Sequence, residues 1–157
     1  MYGDDLIKGG CALKELIEVY EKYDANVVGV QEVPHEMTYK YGIVSLKDKD
    51  TLEMSGLVEK PKVEDAPSDL AGLGRYILKP EIFNELETLK AGKNGEYQLT
   101  DAMGNLMKKD KFYACKFKGT YYDIGNQLGY IKANIMYALD REEYKDELIE
   151  FMKGIEK

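Results

Sequence analysis

The chain has 157 residues, 32% of them charged and 44% hydrophobic, an ordinary globular balance in a length that can bury one core. Its formal net charge of −7, from 22 basic and 29 acidic residues, argues against nucleic acid or an anionic membrane as the main partner and leaves room for a local basic pocket. No apolar run approaches the roughly 20 residues that span a bilayer and no secretory signal is visible, so the expected location is cytoplasmic and no membrane is expected as a partner. Cys11 and Cys115 have no metal-ligand spacing and read as reduced structural thiols. His35, the only histidine, sits in Val33-Pro34-His35-Glu36 and reads as a solvated loop residue. Without a serine–histidine or cysteine–histidine pair, nucleophilic hydrolysis has no candidate.

In chain order, Cys11 to Tyr23 has apolar positions at Leu13, Leu16, Ile17 and Tyr20, a helical spacing stopped by Asp24-Ala25-Asn26. Val27 to Val33 is β-branched and ended by Pro34, a largely buried strand. Tyr41 to Leu46 and Thr51 to Glu59 form a hairpin around the polar turn Lys47-Asp48-Lys49-Asp50. Lys62 to Ser68 is loop, and Leu70 to Leu78 is a glycine-containing strand. Pro80-Glu81 opens a short helix, Lys90 to Gly95 is loop, and Leu99 to about Lys109 is a helix with Thr100 or a neighbour as its N-cap. Phe112 to Phe117 alternates as a strand, and Lys118-Gly119-Thr120 turns the chain into Tyr121-Tyr122-Asp123. Asn126 can cap a long helix with apolar groups at Leu128, Ile131, Ile135 and Leu139. The charged tail from Glu142 to Lys157 has Leu148, Ile149 and Phe151 on one possible packing face. Strands alternating with helices predict a layered α/β domain with a mixed sheet, taken as one domain over residues 1–157. Thirteen of the aromatic residues are tyrosine, which reads as core and rim packing with polar tips.

Leu57-Val58-Glu59-Lys60-Pro61 sets an acid beside a base at the end of an apolar run. Neighbouring strand residues point to opposite faces, and Pro61 is expected to end the ladder and hold Lys60 extended. A strand that stops abruptly at a sheet rim can send both groups to one ligand, the carboxylate to sugar hydroxyls and the ammonium to phosphate. The same residues also fit a charged strand end entering a polar loop.

Val58-Glu59-Lys60-Pro61, Gly74-Arg75-Tyr76, Gly95-Glu96-Tyr97-Gln98-Leu99-Thr100-Asp101-Ala102 and Tyr122-Asp123-Ile124-Gly125-Asn126 follow one another in that order. With Gly3-Asp4-Asp5 at the start, the series resembles the C-terminal half of the bacterial UTP–glucose-1-phosphate uridylyltransferases, a family of sugar nucleotidyltransferases. The likeness covers nearly the whole chain, and the order and spacing of the motifs are more specific than any one of them.

The resemblance implies part of a Rossmann-like nucleotidyltransferase fold, a mixed sheet flanked by helices. It implies transfer of a uridylyl group from UTP to glucose-1-phosphate, giving UDP-glucose and pyrophosphate, chemistry that needs positioning and charge neutralisation more than a strong base. Glu59 would accept hydrogen bonds from glucose hydroxyls and Lys60, the catalytic candidate, would neutralise phosphate oxygens. Gly42 matches the position where backbone approaches the sugar, although a strand glycine can equally mark a bulge. Arg75 and Glu96 fall in substrate-binding motifs, and Arg75 may equally pair with surface acids. Asp4 and Asp123 fall on the metal-binding aspartate motifs, where two carboxylates suit Mg²⁺ completed by substrate phosphates; a turn or capping role also fits Asp123.

The family's Gly-rich loop, of the form G-x-G-T-R-x-x-P-x-T-K, has no counterpart in these residues; Gly9-Gly10 is followed by Cys11 and lacks the arginine and lysine. The expectation is a truncated form that turns over poorly alone and self-associates into a homo-oligomer. The alternatives are a non-catalytic sugar-nucleotide-binding or assembly module, and a nucleotidyltransferase for another sugar or base.

Overall fold

The computed structural model describes residues 3–91 and 95–155. Of the loop expected over Lys90 to Gly95, residues 92–94 lie outside the described residues, as do residues 1–2 and the end of the tail, 156–157. The chain divides into two compact units, one of Cys11–Lys118 and the other of the stretches before and after it. Among the described residues no helix is long and apolar enough to cross a membrane.

The first unit is built on five strands. Strand β2 (Asn26–Glu32) pairs antiparallel with β5 (Leu70–Ile77) and parallel with β6 (Phe112–Lys116). Strand β3 (Gly42–Asp48) pairs antiparallel with β5 and with β4 (Glu53–Glu59). The order β2-β5-β3-β4-β6 closes on itself, because β4 reaches β6 at Glu53 opposite Tyr113. Mixed pairing and flanking helices match the expected α/β class.

Val27, Val28 and Val30 are fully buried, as a β-branched run paired on both edges requires. They belong to a core that also takes in Val44, Met54, Ile82, Met103, Leu106 and Phe112. Helices α2 (Ile82–Glu87) and α3 (Leu99–Leu106) supply Ile82, Met103 and Leu106. Glu85 is buried on α2 and receives Lys109 Nζ at 2.6 Å, so its charge is paired. Asn26 is fully buried and meets three needs at once. Its Nδ2 donates to Asp110 Oδ2 (3.2 Å) and the Lys111 carbonyl (3.3 Å), and its Oδ1 accepts from the Lys79 N–H (2.8 Å).

Helix α1 (Ala12–Tyr23) ends at Asp24, which takes φ +45° and donates its N–H to the Tyr20 carbonyl. Its packing face differs from the expected one. Ala12 and Leu16 are buried, whereas Leu13 and Ile17 are 49% and 41% exposed. The spacing defined an apolar stripe about 100° wide, and the sheet covers only one edge of it. Helix α3 stops at Leu106, short of the expected Lys109, and its N-cap is Gln98 rather than Thr100. The Lys62 to Ser68 loop contains a 3-10 turn over Val63–Asp65, and His35 opens another over His35–Lys40.

The second unit pairs β1 (Asp5–Lys8) antiparallel with β7 (Thr120–Asp123), and carries helices α4 (Gln127–Ala138) and α5 (Glu142–Lys153). Strand β1 escaped the sequence reading because four residues are too few for a period-2 signal. Asn126 caps α4 as expected, its Oδ1 accepting from the Gly129 N–H at 2.8 Å. The expected apolar face of α4 is covered only in its second half, where Ile135 and Leu139 are half-buried. Leu128 and Ile131 are 60% and 53% exposed, and the buried position is Ala133. Phe151, on the expected face of α5, is also exposed.

Two measurements check this description. Burial, and then the negative charges of Glu15 and Glu18, push the Cys115 thiol up to about 11, whereas Cys11 is exposed. At about pH 8 an aromatic disulfide reagent will therefore modify Cys11 promptly and Cys115 only on unfolding. Asn26→Ala strips partners from Lys79, Asp110 and Lys111 together, and is expected to cost about 2–3 kcal/mol, read as a lower urea midpoint at unchanged slope.

Candidate active site

In the first unit Gly42 opens β3, opposite Glu59 on β4 and opposite Gly72 on β5. A Cβ at Gly42 would lie 3.2 Å from Glu59 Oε2, 3.4 Å from Leu57 Cδ1 and 3.8 Å from Thr100 Cγ2. The position lacking a side chain is thus bounded by a carboxylate, an aliphatic wall and the first turn of α3. A side chain there would press on Glu59, so the requirement for glycine is the close approach and not a bulge. A cleft of about 520 Å³ shares Leu57 and Thr100 with this cradle and continues past Leu89, Asp101 and Lys108.

Lys60 departs from expectation. Pro61 does not hold it extended, because its φ is +44°. The β3–β4 ladder ends at Glu59, and the Lys60 N–H donates one more bond, to the Tyr41 carbonyl at 3.0 Å. The left-handed residue then turns the chain at the point where Pro61 disfavours the right-handed helical region. The strand alternation that would separate Glu59 from Lys60 is thereby broken. Lys60 Nζ lies 3.7 Å from Glu59 Oε1, with the two side chains 64% and 31% exposed. An ion pair this wet contributes little to stability. It presents an acceptor for hydroxyls and a cation for phosphate side by side.

The other two candidates lie elsewhere in the local structure. Val28 pairs with Tyr76 and Val30 with Gly72, so Gly29 passes the three residues Leu73, Gly74 and Arg75. A Cβ at Gly29 would meet the Arg75 carbonyl at 3.1 Å and Phe117 Cε1 at 3.3 Å. Arg75 is half-buried in that irregularity, its Nη1 donating to the Gly74 carbonyl at 3.1 Å. Glu96 is exposed ahead of α3 and accepts from Gln98 Nε2 at 2.6 Å. The groups nearest the bare side of Gly42 are Glu59, Leu57 and Thr100, and not Arg75 or Glu96. Thr100, considered from the sequence only as a helix cap, borders the bare side of Gly42 through its methyl group. His35 reaches Asp69 at 2.7 Å on the surface, in keeping with the solvated reading.

In the second unit the β1–β7 register sets Asp5 opposite Asp123. One residue beyond the pairing, the Asp4 carbonyl accepts from the Ile124 N–H at 2.9 Å. Asp123 Oδ1 accepts from the Gly125 N–H at 3.0 Å, which is a turn role. A Cβ at Gly125 would lie 3.1 Å from Asp4 Oδ2 and 3.2 Å from Asp123 Oδ1, so both carboxylates border the same bare glycine. Asp5 is different, since its Oδ1 receives the Tyr121 hydroxyl at 2.7 Å. Two convergent carboxylates with no imidazole or thiolate suit a hard cation such as Mg²⁺, which keeps waters and takes phosphate oxygens as its remaining ligands. Among the described residues no group of three or more His, Cys, Asp or Glu could hold a metal alone.

With this geometry in hand, known proteins give the same direction. The chain is 47% identical over 158 residues to the UTP–glucose-1-phosphate uridylyltransferase of Staphylococcus haemolyticus, covering 99% of this chain and 55% of that protein. A crystal structure of a UDP-glucose pyrophosphorylase complexed with UDP-glucose superposes with a TM-score of 0.81 at 40% identity, over 88% of this chain and 54% of that one. A UTP-bound UDP-glucose pyrophosphorylase from Acinetobacter baumannii gives 0.83 at 33% identity, over 98% of this chain and 54% of that one. The chain therefore spans about half the length of the curated relatives it matches. The nucleotidyl transferase family model matches residues 1–139, and the chain belongs to that family.

Proposed function

We propose that this chain supplies the sugar-phosphate and metal-binding part of a UTP–glucose-1-phosphate uridylyltransferase. The observation that carries the reading is the cradle at Gly42, where a bare backbone position borders the Glu59 carboxylate and Lys60 is folded to the same side. Similarity over nearly the whole chain to uridylyltransferases supports uridine and glucose as base and sugar. In the reaction a phosphate oxygen of glucose-1-phosphate attacks the α-phosphorus of UTP, the new P–O bond forms, and the bond to the β-phosphate breaks to release pyrophosphate. Glu59 accepts hydrogen bonds from glucose hydroxyls and so fixes the sugar, which holds the attacking oxygen in place. Lys60, on its left-handed turn, sets a positive charge beside the sugar phosphate. Asp4 and Asp123 would hold Mg²⁺, which when bound neutralises phosphate oxygens. Arg75 and Glu96 contribute to substrate binding, a role supported by the motifs they share with the uridylyltransferases.

A second reading is a non-catalytic module that binds a sugar nucleotide through the same Gly42, Glu59 and Lys60 groups. Two free thiols fit a reducing, cytoplasmic setting. Exposed Leu128, Ile131 and Phe151 support self-association.

Turnover and binding separate these readings. A polypeptide of these 157 residues, given UTP, glucose-1-phosphate and Mg²⁺, is expected to release pyrophosphate far below the roughly 1–1,000 per second of ordinary enzymes; a rate in that range would show that the Gly-rich loop is dispensable. Lys60→Ala should weaken glucose-1-phosphate binding about ten- to a hundredfold by calorimetry. Glu59→Ala should instead erase the preference for glucose-1-phosphate over inorganic phosphate. Equal binding by both variants and the parent chain would remove Gly42, Glu59 and Lys60 as the sugar site.

A further inference from the structure

Gly42 and Glu59 lie where β3 begins and β4 ends; at the opposite end of these two strands the closed sheet is left hollow. The hollow has a volume of about 500 Å³ and is floored by Val30, Leu46, Leu52 and Leu70. Val30 belongs to the buried core, and the three leucines pack against that core while remaining half-buried. Side chains ordinarily fill a small closed sheet, and where its mouth stays open small-molecule sites recur.

Leu52 has no other evident reason to stand where it does. It is the last residue of the turn between Asp48 and Glu53, and its φ is +60°. A left-handed residue in a hairpin turn is ordinarily glycine or asparagine, because a larger side chain brings its Cβ too close to the following carbonyl. The turn holds the leucine there nonetheless. Asp48 Oδ1 accepts from the Asp50 N–H at 2.8 Å, Asp48 Oδ2 accepts from the Thr51 hydroxyl at 2.9 Å, and the Leu52 carbonyl accepts from the Ala114 N–H at 2.9 Å. Among the described residues, the other two with positive φ that are not glycine are Asp24, which ends α1, and Lys60, which turns out of β4. What Leu52 adds at its own strained position is an apolar wall to the hollow.

The rim is charged, and its charges are met but for one. Glu32 pairs with Lys116 at 2.7 Å, and Asp69 meets His35 at 2.7 Å. Lys49, on the same turn as Leu52, is exposed and has no hydrogen-bond or ion-pair partner among the described residues. An apolar floor with one uncommitted cation at its edge is complementary to an anion that carries an apolar body. The net charge of −7 does not draw anions from a distance, so burial of the body must supply most of the affinity and Lys49 the orientation.

We propose that this hollow binds a small amphipathic carboxylate, its acyl or aryl body on Val30, Leu46, Leu52 and Leu70 and its head group at Lys49. The site is separate from the Gly42 cradle and does not rest on the sugar reading.

The test titrates the full chain with octanoate, with 1-octanol as the uncharged control, and follows backbone amide shifts by NMR. Octanoate should bind with a Kd of about 1 mM and shift the amides of Leu46, Leu52 and Leu70. Lys49→Gln should weaken octanoate about threefold, leave 1-octanol unchanged, and abolish the loss of octanoate affinity that added salt causes in the parent. Lys49→Arg should bind as the parent does. Leu52→Gly suits the left-handed backbone and removes the wall, so it should fold and weaken octanoate about tenfold. Shifts confined to the exposed Leu128 and Ile131 of α4, or equal octanoate affinity in Lys49→Gln and the parent, overturn the proposal. A Leu52→Gly chain that fails to fold also counts against it, since the leucine would then plug the core and not wall a site.

Discussion

One row of paired residues crosses four strands of the first unit, Val30 opposite Gly72, Gly72 opposite Gly42, and Gly42 opposite Glu59. Everything at the Gly42 cradle depends on that register. The row begins at Val30, fully buried on a strand with neighbours on both edges, and so cannot slip without exposing the valine run. Asn26, at the start of the same strand, ties the chain after β5 to the chain before β6 through its amide. The apolar core therefore sets the position of a polar rim several strands away. Two of the four residues in the row are glycine, and their lack of side chains leaves the backbone bare beside Glu59 and Leu57.

Where the regular ladder stops, the site begins. The β3–β4 pairing ends at Glu59, and Lys60 leaves it through a left-handed backbone that a lysine adopts at some cost. The gain is geometric, since adjacent acid and base come to one side of a strand end. The orphaned Thr100 hydroxyl beside them is a second local inconsistency within one cradle. Both departures from locally favourable structure border the same bare glycine edge of the sheet.

The second unit follows the same logic at smaller scale. The β1–β7 ladder places Asp5 opposite Asp123, and the Asp4 carbonyl bonds the chain just past the end of β7. Backbone pairing, not any direct attraction, brings the Asp4 and Asp123 carboxylates to one bare glycine, Gly125. Asp4 and Asp123 border this one turn, whereas Asp5 is met by the Tyr121 hydroxyl. Asn126 then caps α4 immediately after this turn, which fixes where the helix starts.

Sequence alone determined the elements whose signal is local. The valine run of β2, the hairpin around Asp48, the stop at Asp24 and the cap at Asn126 are written in neighbouring residues, because propensity, turn chemistry and capping act over a few positions. The family resemblance carried by motif order pointed to Gly42, Glu59, Lys60, Arg75, Glu96, Asp4 and Asp123 as site candidates. Tertiary structure decided what depends on partners distant in sequence. It chose Ala12 and Leu16 over Leu13 and Ile17 as the covered edge of α1, and Ala133 over Leu128 and Ile131 on α4. It paired the four residues of β1 with β7, a strand too short to announce itself. It gave Lys60 a left-handed backbone where proline alone argued for an extended one, because the last ladder bond to Tyr41 and the turn into Pro61 had to be satisfied together. It also left Thr100 without a partner, which no pattern of residue types can reveal, since an unmet hydroxyl is a property of the surroundings and not of the residue.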